Sequence, residues 1–166
     1  MKALVWILCI FIALVCGFFI FNNYTYQEKQ ADSSMQNTKA TITPITHATV
    51  VIAWGEDTFY IDPTGGADAF AGQKPADVVL VTDIHGDHLS TSTLEAVVGP
   101  RTMLIVPQAV KDLLPESLAT RAQVLQNGET TTEMDISILA MPMYNLADKE
   151  NAHFHAKGRG NGYVLE

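Results

Sequence analysis

The rhythm of hydrophobic and polar positions changes several times along the chain. Residues 3–21 carry no charge and, apart from Gly17, are all apolar. At ~1.5 Å of rise per residue, a helix over this stretch reaches roughly 28 Å, about the thickness of a hydrocarbon core. Residues 22–44 are rich in Asn, Gln, Ser and Thr and read as a tether. The pattern then turns β-like. Residues 48–54 form a β-rich run, Gly55-Glu56-Asp57 a polar turn, and Thr58-Phe59-Tyr60-Ile61 a second run, which together predict a β-hairpin. Asp62-Pro63-Thr64-Gly65-Gly66 stops the second strand. Val78-Val79-Leu80-Val81 and Met103-Leu104-Ile105-Val106 are short continuous apolar runs, the signature of strands buried on both faces. Between them, Ser92-x-x-Glu95 predicts a capping box. Pro107 suits the first position of a helix over residues 108–114, which Pro115 would end. Further strands follow at Val124-Leu125, at residues 134–141 after the turn Gln126-Asn127-Gly128-Glu129, and at Tyr163-Val164-Leu165. The order predicts an α/β layered fold, a mixed sheet with helices on one face.

Composition sharpens this picture at the N-terminus. The 48% hydrophobic share of the whole chain is inflated by residues 3–21. A cleaved signal peptide competes with an uncleaved anchor there, since Lys2 supplies a positive start. The apolar run exceeds the ~7–15 residues of a signal-peptide core, and bulky Phe18, Phe19, Ile20 and Phe21 stand where a peptidase needs small residues. An uncleaved signal anchor, residues 1–21, is the expectation. It places the remainder of the chain outside the cytoplasm at the cell membrane, or makes it secreted or periplasmic if the segment is cleaved. Both cysteines, Cys9 and Cys16, lie within the apolar run, so the rest has neither disulfide nor thiol chemistry. A lipoprotein site at Cys16 is disfavoured by Leu14-Val15 before it. The chain's net charge of −8 argues against nucleic acid as a partner and is compatible with cations.

The chemistry concentrates after the first buried strand, in Thr82-Asp83-Ile84-His85-Gly86-Asp87-His88. Four potential ligands fall within six residues at the carboxyl end of a strand, where open α/β sheets place their sites. Asp83 and His85 are two apart, so on an extended backbone they point to one side and can grip one ion. Asp87 and His88 sit in a turning loop, with Gly86 letting the backbone bend toward a second position. Imidazole and carboxylate together suit a divalent ion such as zinc.

This segment resembles the Thr-His-x-His-x-Asp-His signature of the metallo-β-lactamase-fold hydrolases. Around it stand Ile45-Thr46-His47, Tyr60-Ile61-Asp62-Pro63, Met141-Pro142-Met143-Tyr144-Asn145, and Phe154-His155-Ala156-Lys157-Gly158 with Gly160-Asn161-Gly162-Tyr163. This succession is similar to the branch of ascorbate-6-phosphate lactonase-like metal-dependent hydrolases. The resemblance covers residues 45–166. It implies an αββα sandwich, one or two zinc ions or manganese, and hydrolysis of a small-molecule ester, lactone or phosphoester by a metal-bound hydroxide. The implied ligands are Asp83, His85, Asp87 and His88, with Asp87 also orienting the attacking hydroxide.

Three departures qualify the resemblance. Asp83 replaces the first motif histidine and shifts preference toward oxygen-loving metals. Tyr144-Asn145 stands where a further histidine is usual, leaving His153 or His155 to replace it, and His155 is taken as a metal ligand. The chain resembles only the first half of the sandwich, so a missing C-terminal half, or a dimer in its place, is expected. A non-catalytic remnant or a metal-binding module is the alternative function. Other residues keep open roles. His47 is expected to be hydrogen-bonded in a core. Asp62 orients a ligating histidine or makes an Asx-turn. Lys157 and Arg159 form an exposed basic turn or attract an anionic substrate group. No serine nucleophile elbow is present.

Overall fold

The computed structural model describes residues 39–145 and 154–166. The predicted anchor at residues 1–21, most of the linker predicted for residues 22–44, and His153 lie outside them. Among the described residues no helix is long and apolar enough to cross a membrane.

Two-residue periodicity organises the larger sheet, whose six strands lie side by side in chain order from Thr41–Thr46 (β1) and Thr49–Trp54 (β2) at one edge to Ala122–Val124 (β6) at the other. In β3 (Asp57–Ile61), Tyr60 faces one way and Phe59 the other. Val79 and Val78 divide likewise in β4 (Val78–Leu80), as do Leu104 and Ile105 in β5 (Met103–Val106). Every residue of β4 is buried because both faces of the sheet are covered. On one face, Tyr60, Val79, Leu104 and Val106 pack with Leu94, Val110 and Leu118 from three short helices, α1 (Thr91–Val97), α2 (Gln108–Lys111) and α3 (Glu116–Ala119). On the other face, Phe59, Val78, Leu80 and Ile105 pack with Ile136, Ile138 and Ala140 of a second sheet. That sheet is antiparallel, in the order β7 (Thr130–Glu133), β8 (Ile136–Met143), β9 (Gly160–Leu165). The layers are helix, sheet, sheet. The C-terminal strands therefore do not extend the first sheet but cover it.

Several boundaries differ from expectation for local reasons. The linker expected to run to Pro44 ends earlier, because Thr41–Thr46 is β1, paired antiparallel with β2 (Thr49–Trp54). Pro44 is tolerated there because β1 is an edge strand with a register shift after it. Ser90, not Ser92, caps α1, its hydroxyl accepting from the Thr93 N–H. The helix predicted over residues 108–114 is a single turn that ends at Lys111, and Pro115, expected to end it, stands at the start of α3. Met134 and Asp135 do not open a strand. Both have positive φ, 51° and 62°, and form the two-residue hairpin turn between β7 and β8.

The parallel pairs β3/β4, β4/β5 and β5/β6 (Ala122–Val124) set the carboxyl ends of these strands side by side. That shared edge carries the candidate site.

Candidate metal centre

Asp62 directly follows β3 and adopts φ 46°, a left-handed conformation that Asp tolerates better than most residues. The turn is held from below, where the Thr49 hydroxyl donates to the Asp62 carbonyl and also bonds the Thr64 hydroxyl. The Asp62 carboxylate, only 2% exposed, turns toward the end of β4. Its Oδ1 accepts from the Thr82 N–H at 2.7 Å, and its Oδ2 accepts from the Thr82 hydroxyl at 2.6 Å and from His88 Nδ1 at 2.8 Å. Because the hydroxyl gives its proton to Asp62, it can only accept from Nδ1, 2.9 Å away. Nδ1 therefore carries the ring proton, and Nε2 presents a lone pair. That lone pair faces the half-exposed Asp87 carboxylate, with 3.6 Å between Nε2 and Oδ2. The Asp62 hydrogen bond raises the His88 pKa. Partial burial opposes the rise, and the charges of Asp62, Asp87 and Asp83 add to it.

One helical turn follows Asp83, closed by Leu89 N–H to the His85 carbonyl at 2.8 Å. Ile84 points into the helix-side core, and the flanking Asp83 and His85 share the opposite side. His85 Nδ1 lies 3.1 Å from Asp83 Oδ2, and His155 Nε2 lies 3.6 Å from the same oxygen. The ligand atoms of Asp83, His85 and His155 all fall within 4.8 Å of one another. His155 reaches this point on the loop between β8 and β9. Asn145 Oδ1 accepts its Nδ1–H at 2.7 Å, which turns the Nε2 lone pair toward Asp83.

Asp83 is fully buried. Its partner is Arg159, which donates through Nε to Oδ1 at 3.0 Å and through an Nη to Oδ2 at 2.8 Å. Burial alone would raise the Asp83 pKa. The hydrogen bonds from Arg159 and from the Ile84 N–H, and the Arg159 and His85 charges, outweigh it and hold the carboxyl below its ordinary 3.8. Strand β9 delivers Arg159 to this place. Asn161 N–H bonds the Thr82 carbonyl at 2.9 Å, and a Cβ on Gly160 would come within 2.8 Å of that same carbonyl. Tyr163 donates its hydroxyl to the Val81 carbonyl at 3.0 Å, and burial raises its pKa far above the ordinary phenol value.

The structure thus brings together Asp83, His85 and His155, whereas Asp87 and His88 face each other without joining that group of ligand atoms. His47 is not a core residue. It lies exposed at φ 46° in the β1–β2 turn. Of the two roles suggested for Asp62 the structure shows the orientation of His88 and not the Asx-turn, since the carboxylate bonds Thr82 and His88 while the Thr64 N–H goes to the Thr49 hydroxyl. Gly86 is not needed for the bend, since its φ is not positive and a Cβ there would meet open space. Lys157 is exposed, over the Tyr144 ring at 5.5 Å, whereas the Arg159 side chain is only 20% exposed and is no surface residue. Sequence reasoning missed the Arg159–Asp83 pair and the Asn145 hydrogen bond. The available signal was Asp83 itself, since an acid at a buried strand end needs a cation.

The donor set fits a divalent ion. One buried carboxylate oxygen and two imidazole nitrogens, already within 4.8 Å of one another, need adjustments of about an ångström to ligate at the ~2.0–2.2 Å typical of zinc. Asn145 favours the tautomer of His155 that binds metal, and Asp62 and Thr82 do the same for His88.

No curated protein matches the chain. Among solved structures, a protein assigned as a metal-dependent hydrolase from Parabacteroides distasonis is 28% identical over 78% of this chain, with a TM-score of 0.66. The chain spans 57% of that protein's length. A metallo hydrolase from the archaeon Ignicoccus hospitalis, Igni18, shares the fold at 14% identity and a TM-score of 0.55, over 76% of this chain and 55% of its own. So does CmlA, a diiron β-hydroxylase from Streptomyces venezuelae, at 20% identity and 0.56, over 79% and 28%. Residues 41–166 match the Beta-lactamase superfamily domain. The match opens with the first residue of β1 and takes in both sheets and every ligand candidate, and the chain belongs to the β-lactamase superfamily, in its metal-dependent hydrolase fold.

Proposed function

We propose that the protein is a membrane-anchored metal-dependent hydrolase acting on an ester, lactone or phosphoester outside the cytoplasm. The observation that carries this reading is the convergence of the ligand atoms of Asp83, His85 and His155 within 4.8 Å of one another, in the same motif as a His88 oriented by Asp62. A bound divalent metal would supply Lewis acidity and an activated water. Zinc suits the imidazole donors, while the carboxylates also suit manganese or iron. Asp83, His85 and His155 would hold a first ion, with Asp87 and His88 contributing to a second position. Asp87, half exposed and 3.6 Å from His88 Nε2, is the carboxylate placed to orient a water and accept its proton. Asp62 and Thr82 keep the His88 proton on Nδ1, so that Nε2 remains a ligand.

A second reading, a metal-binding module without turnover, is favoured by one observation, the Arg159 guanidinium on Asp83. One experiment separates the two. The full chain is purified in detergent, stripped with chelator and reloaded with Zn²⁺, Mn²⁺ or Fe²⁺, and metal content and hydrolysis of chromogenic esters, lactones and phosphodiesters are measured. Metal-dependent turnover that Asp87→Asn abolishes supports the hydrolase. Stoichiometric metal without turnover of any of these substrates supports the module, and no retained metal overturns both.

A further inference from the structure

Within the cluster the buried carboxylate is held by one cation. Arg159 engages both Asp83 oxygens, the bidentate geometry in which a guanidinium binds a carboxylate best. The same Nη donates to the Phe154 carbonyl and lies 3.4 Å from His85 Nε2. His85 stands between the two partners without bonding Asp83: its Nδ1 lies 3.1 Å from Asp83 Oδ2 and its Nε2 faces the same Arg159 Nη. Arg159 is not a chance surface contact. Its backbone position follows from the Arg159 N–H to Ala156 carbonyl turn and from Gly160 packed on Thr82. A guanidinium that already holds a lone pair on each Asp83 oxygen leaves the carboxylate fewer sites for a metal and sets a positive charge beside any ion that binds there.

We propose that Arg159 is a built-in cation of this site: its guanidinium neutralises Asp83, and a metal ion that ligates Asp83 binds in competition with it. The proposal rests on the reading of Asp83, His85 and His155 as metal ligands. It makes Arg159 an internal competitor that raises the metal concentration at which the site loads. Loading frees a guanidinium within reach of the ligands, while lowering the dependence of the fold on the Arg159–Asp83 pair.

The test compares the full chain with its Arg159→Gln and Arg159→Lys variants in detergent. Zn²⁺ and Mn²⁺ affinities are read by competition with a chromophoric chelator, and Tm is measured with and without metal. The expected result is affinity at least about tenfold tighter in Arg159→Gln, equivalent to ~1.4 kcal/mol. Arg159→Lys, which retains charge without the fork, falls between. Metal-free Arg159→Gln melts below the native chain, and saturating metal narrows the gap. Equal or weaker affinity in both variants, with the native chain still binding, overturns the competitor role and leaves the metal site standing. Metal that binds none of the three proteins, or that binds undiminished to Asp83→Asn and His155→Ala, overturns the metal reading and the competitor role with it. If Arg159→Gln does not fold, the Arg159→Lys affinity decides on the same criterion.

Discussion

His88 and Asp83 stand in one seven-residue motif, yet they are held in opposite ways. His88 is oriented by Asp62 and Thr82, both at the ends of adjacent parallel strands. Pairing of β3 with β4 fixes those two residues, so His88 reaches its tautomer through the rigid part of the fold. Asp83 depends on the second sheet. Its partner Arg159 lies 76 positions away and arrives only when β9 docks beside the end of β4. The contrast teaches that half of this site is a property of the first sheet, and the other half a property of the contact between sheets.

The largest effect expected from breaking this arrangement falls on the Asp83 side. Asp83→Ala leaves the mostly buried Arg159 without its partner, and unfolding of the metal-free full chain in denaturant should show a loss of about 3 kcal/mol or more. Gly160→Ala should come next, at about 1–3 kcal/mol, because its Cβ meets the Thr82 backbone, which cannot step aside as a flexible side chain can. The same melt should show it.

On the His88 side, Asp62→Asn should weaken Zn²⁺ binding roughly 10- to 100-fold, since it removes the group orienting the ring; chelator competition measures this. The two sides also differ in their response to pH. The folded pKa of His88 lies above its ordinary 6.5, so the stability it contributes is fully present below that value and is lost as pH rises through the raised pKa. The folded pKa of Asp83 lies below its ordinary 3.8, so its contribution is present above that value and is lost as pH falls through the lowered pKa. Metal-free melting across pH should therefore weaken at both ends. Asp62→Asn should flatten only the neutral end. The smallest effect belongs to Gly86→Ala, within about 0.5 kcal/mol by the same melt, because the motif's glycine meets no steric demand.

Much of the first sheet was legible because its signals are local. Val78, Val79 and Leu80 carry no polar residue, so a strand with both faces covered is the only economical reading, and it places the following motif at a strand end. The hairpin of β2 and β3 was legible for the same reason, while β1 hid behind polar threonines that suit an edge strand as well as a linker. The β7–β8 turn was missed because Met134-Asp135 lacks the glycine that usually marks two positive-φ residues. His155 could be proposed from the resemblance, but its orientation by Asn145 required the folded loop.

The sequence by itself determined the ligand-bearing motif, its place after a buried strand, the net charge of −8 and the family resemblance, all of which rest on neighbouring residues and short-range periodicity. Only the tertiary structure decided that Asp83 faces Arg159, that His155 completes a three-residue cluster, and that His47 stays outside it. Side-chain chemistry is written locally, but which buried charge meets which partner depends on how two sheets dock. That docking is driven by Phe59, Ile105, Ile138 and their neighbours, residues that carry no information about the charges they bring together.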